Sequence, residues 1–220
     1  MVRMRHLSFA HAPAVERLGQ QIRQTVSAAD ALSDLQLLAP SRCHGWSALD
    51  VVVHLRMGLQ EMVVGAGPTD DGPDHDAASY WASHPDDRDD DPVPHILWLR
   101  RVASAYGRPS AAVSHLKDVA EGAIVAVRSM QEGLIAFQGK HLRSGDFLAT
   151  WVVELAVHQL DFDIDGDEPV GIDWARRTLE AIADADLSSG MDDRSAVLVG
   201  LGRIPPPAGV ALYDSYPVSL

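Results

Sequence analysis

Residues 146–161, DFLATWVVELAVHQLD, narrow the choice of fold more than any other stretch of this chain. Phe147, Leu148, Trp151, Val152, Val153, Leu155, Val157 and Leu160 surround a helix on every side instead of forming one stripe. A helix that is apolar all round has to be enclosed by other elements. The segment therefore predicts the central helix of a bundle. Glu154 and His158 sit inside it, four residues apart. With about 1.5 Å of rise per residue and 3.6 residues per turn, the two face the same way.

The remaining pattern supplies the enclosure. Val15, Leu18, Ile22, Val26 and Ala29 recur at helical spacing and predict a helix over 14–31. A loop through Pro40 and Gly45 follows. Ser47 then reads as an N-cap with Asp50 three residues on, opening a helix over 48–64. Helical pattern resumes near His95 and stops before Pro109, then runs from Ser110 to Met130 or Gln131. Asp173 is expected to cap a helix over 174–187. Ala196 to Leu201 is too short to assign. Pro205, Pro206 and Pro207 argue against regular structure, so the tail is expected to pack as an arm. With no internal repeat, the fold class is all-α: a four-helix bundle with additional C-terminal elements, one domain over 1–220.

Gly65 to Pro94 breaks the pattern with TDDGPDHD and HPDDRDDD. Such charge runs are solvated, and a mobile acidic loop is expected at 66–93, with short helical turns near Ala77 to Ala82. The alternative is a lid over a site.

The formal charge of −13 excludes nucleic acid as a natural partner, because phosphate backbones select basic surfaces. No apolar run is long enough to span a membrane, and the N-terminus lacks a secretory pattern. A cytoplasmic location is expected, as a monomer or homodimer. Cys43 is the only cysteine, so no internal disulfide and no cysteine-rich zinc site can form. Its own role stays open between packing and a reactive thiol, with packing favoured.

His54 is embedded in VVVHL, on the helix that starts after Ser47. Bundle packing can set it beside Glu154 and His158. Two imidazoles and a carboxylate suit zinc, and also manganese, iron, cobalt or nickel. Three protein ligands leave one position for water, a thiolate or a substrate oxygen. The plainer reading is that each group is hydrogen-bonded in a core. A cation would satisfy all three buried polar groups together.

Asp161, three residues after His158, could hold the unused imidazole nitrogen; a solvated helix-end residue is the favoured alternative. Asp50 could orient His54, with helix capping favoured. Trp46 and Trp151 read as packing residues. His44, His95, His115 and His141 are weaker ligand candidates, and His11, His75 and His84 weaker still.

HGWSALDVVVHL at 44–55 and DFLATWVVELAVHQLDF at 146–162 resemble the metal-binding N-terminal domain of mycothiol-dependent maleylpyruvate isomerases, a branch of the DinB-like four-helix bundle superfamily. VGLGRIPPP at 199–207 looks like a family tail. The resemblance assigns His54, Glu154 and His158 as metal ligands, with zinc the usual ion. It implies mycothiol or another low-molecular-weight thiol as cosubstrate, whose thiolate attacks a small electrophile. Too few residues follow the bundle for the isomerases' separate C-terminal domain, so a smaller thiol transferase is expected rather than action on maleylpyruvate itself. Arg88, Arg100, Arg101, Arg108 and Arg143 are candidates to bind a substrate carboxylate, against a background of surface solvation. The leading expectation is a metal-dependent thiol transferase or isomerase. The alternatives are a metal-dependent hydrolase, a noncatalytic metal or small-ligand binding protein, and a structural interaction module.

Overall fold

The computed structural model describes residues 4–81, 93–164 and 166–220. The helices are α1 (His11–Asp30), α2 (Asp34–Leu37), α3 (Ala48–Gly65), α4 (Val93–Ser104), α5 (Pro109–Ser129), α6 (Ser144–Asp161), α7 (Ile172–Ala183) and α8 (Asp193–Gly200). Three short strands accompany them: β1 (Gly67–Pro68), β2 (Leu134–Phe137) and β3 (Lys140–Arg143). The four long helices α1, α3, α5 and α6 close into a ring. α1 lies between α6 and α5, and α3 between α5 and α6. A mostly helical bundle with extra elements is therefore the architecture. α7 packs on the outside of α6, and α8 on α7.

α6 is the central helix. Every residue in it is buried except Glu154. Its N-terminus passes so close to the segment before α1 that a Cβ on Gly145 would lie 2.1 Å from the Phe9 carbonyl oxygen. The neighbouring Asp146 carboxylate accepts bonds from Phe9 N at 2.7 Å and Ser8 Oγ at 2.9 Å. Burial pushes the Asp146 carboxyl up, and these donors offset part of that.

Deeper in the core, Gln21 Nε2 donates to Gln159 Oε1 at 2.7 Å, and Thr25 Oγ1 to the Leu155 carbonyl at 3.3 Å. Gln21 Oε1 accepts from Gly171 N at 2.8 Å. One buried polar network thus ties α1, α6 and the start of α7 together, with its principal groups paired.

Helix starts follow local chemistry. Ser47 and Asp50 form the expected capping box: Ser47 Oγ accepts from Asp50 N, and Asp50 Oδ2 accepts from Ser47 N at 2.8 Å. Asp50 is therefore a helix cap. Asp173 does not cap α7. The helix starts two residues earlier than expected, with Gly171 at the N-cap, and Asp173 pairs with Arg17 instead. α7 also stops at Ala183, short of 187, where Asp184 takes a left-handed conformation. The unassigned stretch near 196 is a helix capped by Asp192, whose Oδ1 accepts from Ser195 N at 2.7 Å.

The strands are an addition to the all-helical reading. β2 and β3 pair antiparallel, and β1 joins the other edge of β2. Gln138 and Gly139 form the two-residue turn with φ of 49° and 74°, the backbone hand that matches strand twist. The acidic loop is also less solvated than its composition suggests. Ala77, Ala78, Tyr80 and Trp81 are buried. Asp76 holds a turn over 77–80: its Oδ1 accepts from Ala78 N and Ser79 N, and its Oδ2 from Leu7 N. Residues 82–92 of the expected loop, with Arg88 and His84, lie outside the described residues.

The C-terminal arm docks as expected. Val218 N donates to the Gly200 carbonyl at 2.9 Å, and the Tyr216 hydroxyl to the Ala185 carbonyl at 2.7 Å. Among the described residues, no helix is long and apolar enough to cross a membrane.

Gly145→Ala tests the close crossing at α6. The new methyl meets backbone, which cannot rotate away. Urea unfolding should show a loss of about 3 kcal/mol. A loss under about 0.5 kcal/mol would mean that the crossing is not tight in solution.

Candidate metal centre

Of the four seams in the ring, the one between α3 and α6 has the least close backbone approach. Gly58 on α3 gives way to the Trp151 ring, which would lie 3.1 Å from a Cβ there. One turn earlier on α3, His54 projects into the same seam. α6 supplies Glu154 and His158 from one face, as their spacing requires.

The three side chains converge. His54 Nε2 lies 2.7 Å from Glu154 Oε1, and His158 Nε2 lies 3.4 Å from the same oxygen. The imidazole rings meet edge-on at 70°, with centroids 4.9 Å apart. One ligand atom from each residue falls within 4.8 Å of the others, so the cluster could hold a divalent cation. It is the one such group of three or more among the described residues. Two imidazole nitrogens and one carboxylate oxygen form a donor set suited to an open, three-ligand site. Side-chain exposure falls from 28% at His54 to 17% at Glu154 and 9% at His158.

Asp161 is not a solvated helix end. Its side chain is fully buried, and Oδ2 lies 2.9 Å from His158 Nδ1. That contact fixes which imidazole nitrogen faces Glu154. The Asp161 backbone carbonyl accepts from Arg42 N at 2.9 Å. Arg42 itself pairs with Asp163.

Trp46 does more than fill the start of α3. Its ring lies nearly parallel to His158, 12° between planes at 6.0 Å, and tilts over His54 at 4.9 Å. It shields one side of the cluster from water. His95 approaches Trp46 at 5.8 Å but stays outside the three. His115 bonds the Tyr106 hydroxyl at 2.9 Å, while His75 and His141 sit beside Asp74. His44 is exposed, and His11 Nδ1 is buried without a hydrogen-bond partner and is not part of the cluster.

Without a cation, the cluster is held by a proton. Burial pulls the His158 imidazole down, but the Glu154 charge and the bonds to Asp161 and Glu154 win and push it up to about 10. Burial likewise pushes Glu154 up, and the His158 charge with both imidazole contacts holds it well below the usual carboxylate range. The groups are arranged around one positive charge, whether proton or metal ion.

A cleft of about 220 Å³ opens against Glu154 and His158. Val157 and Leu201 line it with Arg203 and residues 217–220 of the C-terminal arm. Arg203 was not among the arginines expected near a site. Of those expected, Arg88 lies outside the described residues; Arg100 donates to the Gly45 carbonyl, Arg108 pairs with Asp34, and Arg101 and Arg143 are exposed. Arg203 lies inside the VGLGRIPPP stretch that resembles a family tail, but nothing local ties it to the acid it contacts, 42 residues earlier. Cys43 sits nearby, its Sγ 3.5 Å from Arg203 Nη2. Burial pushes the Cys43 thiol up against the pull of His158 and Arg203, so it stays a thiol and not an activated thiolate.

The family model for the mycothiol maleylpyruvate isomerase N-terminal domain matches residues 18–163. The chain belongs to this family. The match spans α3 and α6 with all three converging residues, and ends before α7, α8 and Arg203. Compared with curated proteins and with solved structures, the chain matches none.

Zinc binding should displace the proton on His158. At pH 8 that imidazole is charged, so each ion bound releases about one proton, and apparent affinity rises about tenfold per pH unit toward pH 10. Titration calorimetry in two buffers of different ionisation enthalpy reads the proton count. Binding that is flat between pH 7 and 9 would contradict this arrangement.

Proposed function

We propose that this protein is a metal-dependent thiol transferase or isomerase acting on a small electrophilic substrate, with zinc as the ion and mycothiol or a similar low-molecular-weight thiol as cosubstrate. The observation that carries the reading is the convergence of His54, Glu154 and His158 within 4.8 Å beside an open cleft. Membership of the mycothiol maleylpyruvate isomerase N-terminal domain family supports the choice of thiol.

In this reading His54, Glu154 and His158 hold the cation and are the catalytic residues. A bound divalent cation supplies Lewis acidity, which favours the thiolate form of an incoming thiol. The chain contributes position and exclusion of water. Asp161 holds His158 by Nδ1, so that Nε2 faces the cation position. Trp46 packs beside both imidazoles, near-parallel to His158 and tilted to His54. Val157 and Leu201 offer an apolar wall for the substrate body. Cys43 remains a protonated thiol, which fits a nucleophile that comes from outside the chain. The whole chain would act as one DinB-like domain in the cytoplasm, on small molecules.

Protein purified without added metal should carry about one zinc per chain, an amount elemental analysis can read. Chelation should abolish thiol-dependent consumption of an electrophile, and zinc should restore it. Glu154→Gln keeps the volume and removes the charge. It should lower both zinc affinity and activity more than a hundredfold, beyond the roughly 10–100-fold typical of outer partners. Turnover that proceeds equally without thiol would identify a hydrolase instead. Metal binding with no turnover of either kind would leave a noncatalytic binding protein.

A further inference from the structure

We propose that Arg203, contributed by the turn after α8, is a positioning residue for the cation site, acting through Asp161 on His158. The proposal rests on the metal-dependent reading above and adds to it a residue from outside the segment that matches the family.

Asp161 ends α6 with a carboxylate at 0% exposure. An imidazole alone would satisfy one of its oxygens and leave the carboxylate plane free to turn. Arg203 removes that freedom. Its Nε donates to Oδ1 at 3.0 Å and its Nη2 to Oδ2 at 3.3 Å. This is the planar fork that guanidinium makes with carboxylate. Oδ2 is then shared between Arg203 and His158 Nδ1, the latter at 2.9 Å. The chain of contacts runs Arg203, Asp161, His158, and ends at the imidazole nitrogen that faces Glu154.

Arg203 is itself held. Its backbone N donates to the Leu198 carbonyl at 2.8 Å, closing the turn after α8. Gly202 makes that turn at φ of 68°, and a Cβ on it would lie 3.1 Å from Pro217 Cβ. The bond from Val218 N to the Gly200 carbonyl pins the arm over the same turn. Nη2 also reaches Cys43 Sγ at 3.5 Å. The ligand geometry at His158 is thus referred to a second, rigid part of the chain, 42 residues downstream of the acid. A metal-ligating histidine whose second nitrogen is fixed by a buttressed carboxylate has one ring orientation, which is how such partners raise cation affinity.

The test uses the full chain and two probes, zinc(II) in competition with a chromophoric chelator and the visible absorption of bound cobalt(II). Arg203→Met is expected to weaken zinc about 10–100-fold and to shift the cobalt bands. Arg203→Lys keeps the charge and loses the fork, and is expected between Arg203→Met and the unsubstituted protein. A buttress that merely supports the fold would lower the melting temperature of metal-free protein while the folded variant binds zinc within about twofold, with the same cobalt spectrum; that result overturns the proposal. If Arg203→Met does not fold, Arg203→Gln and Arg203→Lys are read by the same two probes and the same criteria. Failure of the unsubstituted protein to bind zinc overturns the metal reading and this proposal together. Tight binding in it and in the variants alike overturns this proposal alone.

Discussion

A carboxylate on an otherwise buried helix organises this structure. Glu154 interrupts α6 with the one side chain there that is not buried, and two imidazoles from two helices turn toward it. A charge at that depth is costly unless it is matched by partners at close range. His54 and His158 are those partners. The seam between α3 and α6 has to stay wide enough to hold three polar side chains and the Trp151 ring, so the bundle cannot close there as it does between α1 and α6.

The rest of the molecule keeps that seam in register. The Gln21, Thr25 and Gln159 network locks α1 along α6 on the side away from the cluster. The tight passage at Gly145 and the Asp146 bonds fix where α6 begins. The Ser47–Asp50 capping box fixes where α3 begins, and hence which turn presents His54. Each device is small, about 1 kcal/mol for a cap or a hydrogen bond. Together they set the rotation and translation of two helices, which is what a three-ligand site requires. From the other end, α8 and the arm bring Arg203 onto Asp161, so the region beyond the family match shares in shaping both the cleft and the ligand behind it.

Much of this was legible before the structure. The all-round apolar pattern of 146–161 implied an enclosed helix, and α6 is buried along its length. Glu154 and His158 share a face because helical geometry is local and periodic. The cap at Ser47 was equally readable, since its donors and acceptors lie within three residues. Helices α3, α5 and α6 begin and end within two residues of the expected positions. The errors fall where a local pattern competes with a distant partner. Asp173 reads as a cap, but Arg17 claims it. In the acidic segment the short turns expected near 77–82 are present, but the burial of Tyr80 and Trp81 by a turn that Asp76 folds was not legible. The hairpin at 134–143 is too short to announce itself against helical surroundings.

By itself, the sequence determined the four long helices, the enclosure of α6 and the shared face of Glu154 and His158, because those depend on residues no more than a few turns apart. Tertiary structure alone decided that His54 meets them within hydrogen-bonding distance, that Asp161 is buried and not solvated, and that Arg203 is its partner. Contacts across 100 and 42 residues are set by how helices rotate and dock, and no periodicity along the chain records that angle.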